Sequence, residues 1–581
     1  MPSKKSLSRG GRSSQRAESE QKPTPQPQKV NENQLVSTPK TIKLIGLAAL
    51  LLALTATYSP ISQLTLSPVY GSVPSVAFHQ RGMMVAALCG WFGKDQIRKR
   101  LSIKVMNFLP VLALSIPTIQ FFLFQWSEQL GAIYGPFLTE LLTYFPLVFL
   151  SVASVTMLLE DAGLKRYSET LGNHGPFFGS YILFSTLQKF FGFLLPRYIG
   201  HNALMARAPL QLIAASLYAI SLPSKWLLLA LPSVLFSARY NVHFPFAHNT
   251  ALLNSTLQAE NFVLLHREES LTGYLSVLEN VKEHYRVMRC DHSLLGGEWT
   301  QLPNAQYPEV REPIYSIFTM LEAVRLIKSD DGSSRRGGPG TNSLVIGLGI
   351  GTTPTALVNH GIDTTVVEID PAVYHIAADY FSIPKNFTPV IQDAVRFVDE
   401  ATRATPAPRF DFIVHDVFTG GVEPINLFTV EFMKGLSALL KEDGVIAINY
   451  AGDLSLPSSG LIVRTIKSVF PSCRIFRESE PPADTREGDF TNMVIFCKQT
   501  DSPLEFRNPT EADFLGSKSR ESYLLPQYEI NAASFAKPEE DQQDILAVGH
   551  AGNLVRWHSQ SAAGHWKIMR TVLPAFVWEN W

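Results

Sequence analysis

The chain has 581 residues, 46% of them hydrophobic, and its 50 Lys and Arg against 51 Asp and Glu leave a formal net charge of −1. That length accommodates three or four domains, each with its own core, and the charge balance excludes a global attraction to nucleic acid. Cys89, Cys290, Cys473 and Cys497 form no CxxC pair and no ligand cluster with the histidines, so neither a disulfide framework nor a structural metal site is expected, and each reads as a buried hydrophobe.

Met1 to Lys43 carries nine Lys and Arg against three Glu and is rich in Ser, Gln and Pro. Such text buries too little apolar surface to fold, so residues 1–40 are expected to be a disordered basic tail. Glu18, Glu20 and Glu32 argue against a mitochondrial presequence, and the first apolar stretch begins too late for a secretory signal. Leu44–Ile61, Val105–Trp126 and Leu141–Leu159 are uncharged over 18, 22 and 19 residues, close to the roughly 20 that cross a bilayer. Weaker candidates are Val73–Gly93, Pro176–Pro196 and Ala208–Ala238, the last either one span or a hairpin broken at Pro223-Ser224-Lys225. Residues 41–240 are therefore expected to be an α-helical membrane domain of six to seven spans.

The tail and the basic loop 94–104 read as cytoplasmic, whereas loop 127–135, without Lys or Arg, suits the opposite side. Six spans return the rest of the chain to the cytoplasm and seven place it in a lumen; the cytoplasmic placement is the working expectation. Two sequons, at Asn254 and Asn386, lie beyond the spans. Glu140, Lys189 and Lys225 read as interfacial, and spans so poor in ionisable groups argue against a channel or pump.

From about Asn261 the texture changes to short β-like segments, and residues 255–328 are expected to form a small antiparallel sheet followed by a helix at Tyr315–Lys328. Residues 329–342 are a linker by composition. Over 343–500 strands and helices alternate, which argues for a parallel sheet covered on both faces, with residues 501–581 as a C-terminal extension. Ligands in such sheets sit beyond the carboxyl ends of the strands. There fall the turn Gly347-Leu348-Gly349-Ile350-Gly351, then Glu368, Asp393 and Asp416. Glycine lets backbone approach a ligand closely; a carboxylate such as Glu368 can accept both ribose hydroxyls, and Asp393 can reach an adenine amino group. Together they describe an adenosine site without a pyrophosphate cradle.

TGYLSVLEN, RVMRCDHSLLGG, REPIY, VIGLGIG, VVEIDP, IQDAVRFV, FIVHDVFTGGVEPINLF and LLKEDGVIAIN occur in the order found in the spermidine/spermine synthase family, which residues 261–498 resemble. The resemblance implies an α/β fold: a methyltransferase-type Rossmann-like parallel sheet preceded by a small antiparallel β domain, here behind the membrane helices. It also implies a membrane-anchored aminopropyltransferase acting on a small-molecule amine, with decarboxylated S-adenosylmethionine or S-adenosylmethionine as co-substrate and no metal. Carried over, Asp416 is the catalytic base, Tyr315 orients the amine, Glu368 binds ribose, Asp393 adenine, and Gly347, Gly349 and Gly351 form the close turn. Four polar family positions are replaced: an aspartate in the glycine turn by Ile350, a second loop aspartate by Thr419, the residue after Tyr315 by Ser316, and a nucleoside-side glutamine by Leu275. The alternatives are therefore an S-adenosylmethionine-dependent methyltransferase and a catalytically degenerate membrane scaffold. Homodimer formation, the organelle and the acceptor stay open.

Overall fold

A computed structural model describes residues 32–100, 105–166, 168–333, 337, 339–417, 422–482, 488–535, 543–550 and 552–581. Tail residues 1–31 and Thr419 lie outside them. Helix α1 (Glu32–Tyr70) begins inside the stretch assigned to the tail, as a backward extension of the apolar run after Leu44.

The helical part continues with α2 (Ser72–Ala77), α3 (His79–Arg100), α4 (Leu109–Phe124), α5 (Ser127–Leu142), α6 (Tyr144–Asp161), α7 (Glu169–Tyr198), α8 (Arg207–Ser221) and α9 (Leu231–Arg239). Four stretches, 39–70, 105–124, 127–166 and 172–198, are long and apolar enough to cross a membrane by length and composition. Among the described residues the helices run between two faces of the bundle. On one face Thr41 donates to Ala162 O, Lys94 pairs with Glu160, and Phe108 packs on Trp226. On the other, Pro68 O, Ser127, Arg207 and His243 bond to the remainder of the chain. The break between α8 and the 3₁₀ turn that leads into α9 falls at Leu222–Ser224, one of the two readings open from sequence.

Glu140, read as interfacial, is instead buried: its Oε1 lies 2.6 Å from His79 Nδ1 and accepts from Ser62 Oγ. Hydropathy along one segment cannot see that side chains of other helices hydrogen-bond the carboxylate.

After α10 (Ala247–Gln258), strands β1 (Phe262–Glu269), β2 (Tyr274–Asn280), β3 (Tyr285–Cys290), β4 (Ser293–Trp299) and β5 (Glu312–Pro313) form an antiparallel sheet in sequence order. Helix α11 (Ser316–Leu321) gives way to a 3₁₀ turn over Glu322–Leu326, so the expected helix to Lys328 is shorter.

The larger domain alternates β6 (Asn342–Ile346), α12 (Thr352–Asn359), β7 (Asp363–Glu368), α13 (Pro371–Tyr380), β8 (Thr388–Ile391), α14 (Ala394–Arg403), β9 (Phe410–His415), α15 (Val430–Leu439), β10 (Leu440–Asp453), α16 (Pro457–Lys467), β11 (Ser472–Arg477) and β12 (Phe490–Lys498). Helices α17 (Glu511–Phe514) and α18 (Lys518–Tyr523), strand β13 (Tyr528–Ile530) and helices α19 (Gly552–Val572) and α20 (Ala575–Glu579) follow. The eight-stranded order is β13-β11-β12-β10-β9-β6-β7-β8, parallel from β10 to β8 and antiparallel beyond. Helices cover both faces, so the central strands are apolar without alternation, as in Leu344-Val345-Ile346 and Ile413-Val414. Strand order reverses between β6 and β9, and their carboxyl ends frame a crevice.

Cys473 and Cys497 face each other across β11 and β12 and form a disulfide, and Cys89 is exposed; both differ from the expectation of four buried thiols. Pairing across antiparallel strands depends on register, which cysteine spacing does not carry.

Candidate active site

Strand β6 hands the chain to the glycine turn. Gly347 has φ +91°, and a Cβ there would lie 2.0 Å from the carbonyl oxygen of Asp416, so the turn closes against β9 only with glycine. Gly349 and Gly351 also have positive φ, Gly351 as the N-cap of α12.

At the end of β7, Glu368 accepts from Leu348 N (3.0 Å) through Oε2 and from Asp370 N (2.9 Å) through Oε1. Burial raises its pKa, and the two amides lower it. Each oxygen keeps lone-pair capacity for a hydroxyl, as a ribose requires. Asp393 is the N-cap of α14, its Oδ1 accepting from Val395 N and Arg396 N.

Two cavities of about 400 and 630 Å³ meet at Ser72, Gly347, Glu368, Ile369 and Val417. The second contains Asp393. The first contains Tyr315, Ile350, Glu368, Asp416, Asn449 and Glu478. The structure thus brings six of the seven expected site residues to one cleft wall or the other; Gly351 only supports the turn from behind, against Ile383. Leu275 is fully buried in the core and lines neither cavity.

Asp416 follows β9. Its Oδ1 accepts from Asn449 Nδ2 at 2.8 Å, and burial pushes its pKa up to about 6 against the lowering effect of that bond. Asn449 Oδ1 and the Tyr315 hydroxyl are buried without a partner. Burial, with the nearby Glu478 charge, raises the Tyr315 hydroxyl so that it stays a neutral donor.

Sequence reasoning missed contributors from three parts of the chain. Ser72 reaches the cleft from the first residue of α2. His565, Ile568 and Met569 reach it from α19, in the extension that had no assigned role. Asn449 and Glu478 come from β10 and from just after β11. No local pattern marks them, because each is brought in by packing between distant segments.

Fold and cleft define an α/β protein with a methyltransferase-type sheet and an S-adenosylmethionine-type ligand site. Residues 339–477 match the spermine/spermidine synthase domain. The chain is 49% identical over 548 residues, 93% of its own length and 98% of the relative's, to an N-terminal histidine N-methyltransferase of Emericella nidulans, and it belongs to that protein's family. It is also 37% identical to a polyamine aminopropyltransferase of Vibrio vulnificus, over 30% of this chain and 56% of that protein. Among solved structures, a probable spermidine synthase from Corynebacterium glutamicum matches 48% of this chain and 98% of its own at 16% identity, with a TM-score of 0.36.

The expectation of aminopropyl transfer is corrected by these relations. The relative that shares nearly the whole chain carries a methyltransferase's name, whereas the aminopropyltransferase shares a fraction. The family motifs quoted from the sequence reflect shared ancestry of a domain, which does not fix the group transferred.

Proposed function

We propose that the protein is an S-adenosylmethionine-dependent methyltransferase that modifies the amino-terminal histidine of a polypeptide. The observation that carries this reading is the 49% identity over 93% of the chain to an enzyme so named. The cleft supports this reading: Glu368 keeps lone-pair capacity for ribose hydroxyls, the glycine turn admits close approach, and apolar Ile350 lines the cavity where the family resemblance expects an aspartate. S-adenosylmethionine keeps a carboxylate that its decarboxylated form lacks, and an aspartate at position 350 would repel it, whereas isoleucine does not.

When bound, the ligand supplies an electrophilic methyl: the S–CH₃ bond breaks with its electron pair staying on sulfur, and an N–CH₃ bond forms. Asp416 accepts the N–H of the acceptor imidazole, which leaves the other ring nitrogen's lone pair for attack. As the ring becomes cationic, the carboxylate stabilises it and then takes the N–H proton or passes it to water. Asn449 fixes the carboxylate's orientation, and the Tyr315 hydroxyl donates into the same space.

The bundle would hold this site at a bilayer. Lys94, Arg98, Lys99, Arg100, Lys165 and Arg166 cluster at the face away from the α/β domain, which supports a cytoplasmic position for that face. The α/β domain joins the opposite face, so the cleft would then lie on the lumenal side, and the Cys473–Cys497 disulfide suits an oxidising compartment.

The test is incubation of the full chain, in detergent or nanodiscs, with methyl-labelled S-adenosylmethionine and a polypeptide beginning with histidine. Label on the first residue with release of adenosylhomocysteine supports the reading. Binding of the co-substrate without transfer to any histidine-initiated peptide refutes it.

A further inference from the structure

The acceptor end of the cleft carries a charge imbalance that the methyl-transfer step does not use. Four carboxylates line the cavity, Asp291, Glu368, Asp416 and Glu478, and no Lys or Arg is among its described lining residues. Two of the four are accounted for: Asp291 is paired with the buried Arg207, and Glu368 is held by two backbone amides. The histidine in the wall, His565, brings no compensating charge, since burial pushes its ring down to about 3. Among the described residues, Asp416 and Glu478 have no cationic partner.

These two sit on one polar row. Asn449 and Asn492 belong to the paired strands β10 and β12, in register positions that share a face of the sheet. Asn449 Nδ2 donates to Asp416, and Asn492 Nδ2 donates to Glu478 Oε2 at 2.7 Å. Glu478 Oε1 accepts from Ser316 Oγ at 2.8 Å and from Ile317 N, which ties the row to the residues beside Tyr315. The carboxylate is thus fixed in orientation by neutral donors and remains half-exposed to the cavity. Asn449 is 6% exposed and its Oδ1 has no partner, an acceptor left vacant between the two carboxylates along the row. A buried acceptor without a donor is costly, so an incoming group rich in N–H satisfies it.

We infer that the Glu478 end of this row is a subsite for the free α-ammonium of the acceptor's first residue, with Asp416 serving the imidazole of the same residue. This rests on the methyltransferase reading and adds to it: the enzyme would require an unblocked amino terminus and would select it through Glu478, a group outside the methyl-transfer step. An ammonium offers three donors to carboxylate and amide oxygens, whereas an acetylated or internal residue offers one amide N–H and no charge.

The test compares three peptides of one sequence on the full chain: free histidine at position one, the same residue Nα-acetylated, and a des-amino analogue that keeps the imidazole but lacks the α-nitrogen. Wild type is expected to prefer the free peptide by about ten- to a hundredfold in kcat/KM, the range for a hydrogen-bonded charge. In Glu478→Gln, confirmed as folded by unchanged binding of S-adenosylmethionine in calorimetry, that preference should collapse to within about threefold, mainly through KM for the free peptide. Equal use of the free and des-amino peptides by wild type overturns the inference. So does a Glu478→Gln protein that binds the co-substrate and discriminates as wild type does. Transfer to none of the three by a co-substrate-binding wild type refutes the underlying methyltransferase reading, a result distinct from loss of discrimination.

Discussion

Replacing Asp416 by Asn tests the assignment of the proton acceptor through the shape of a pH profile. Burial raises Asp416 to about 6, above its ordinary carboxylate value, so its charged form is present above that pH and lost as pH falls through it. From pH 7 to pH 5 the ionised fraction drops about tenfold. A histidine acceptor with an imidazole pKa of about 6.5 loses about 25-fold of its neutral form over the same interval. Wild-type kcat/KM should therefore fall by about 250-fold, and its logarithm should approach a slope of two per pH unit on the acid side. Asp416→Asn removes one of the two titrations: the fall shrinks to about 25-fold and the slope to one, on top of a rate loss of about 10²–10⁴ at pH 7.5. The assay is adenosylhomocysteine release from a histidine-initiated peptide in buffers of constant ionic strength. A variant that keeps the wild-type slope and rate refutes the role given to Asp416.

Three further outcomes follow from the geometry. Gly347→Ala places a Cβ against the Asp416 carbonyl at a positive φ that costs about 1–2 kcal/mol before any clash, and calorimetry should find co-substrate binding lost. Arg289, 1% exposed, donates to Pro68 O, Asp291 O, Val577 O and Trp578 O, and Arg289→Met should cost about 3–5 kcal/mol, read as a lower melting temperature and faster proteolysis between bundle and α/β domain. If the α/β domain is lumenal, Asn386, exposed before β8, should carry a glycan removable by glycosidase and absent in Asn386→Gln; Asn254, whose Oδ1 accepts from Leu264 N within α10, should not.

Much of the α/β domain is legible because its signals are local. The alternation of apolar runs with amphipathic segments marks β6 to β12, and the glycine turn is readable because three positive-φ residues fall directly after a strand. Glu368 and Asp416 are found because strand ends are predictable. Glu478 is not, since it leaves an antiparallel strand beyond the alternating units, and its partners Ser316 and Asn492 come from other elements. Ser72 and Met569 belong to segments whose composition speaks only of membrane and of helix. The group transferred was misread for another reason: the nucleoside half of a site is shared among several transferases, and the chemistry depends on what faces the sulfur.

The Arg289 contacts also bear on how the molecule assembles. This one guanidinium joins residues 221 positions before it to residues 289 positions after it, Pro68 to Trp578. Contacts of such span form late, because loops must close before they contribute. The parallel sheet can gather around its own strands while the chain is still being synthesised, but the wall supplied by Ser72 and the roof supplied by His565 and Met569 meet only after α19 and α20 dock on the bundle. Nascent or truncated chains that lack α19 would hold an α/β domain whose cleft is missing the wall formed by His565, Ile568 and Met569.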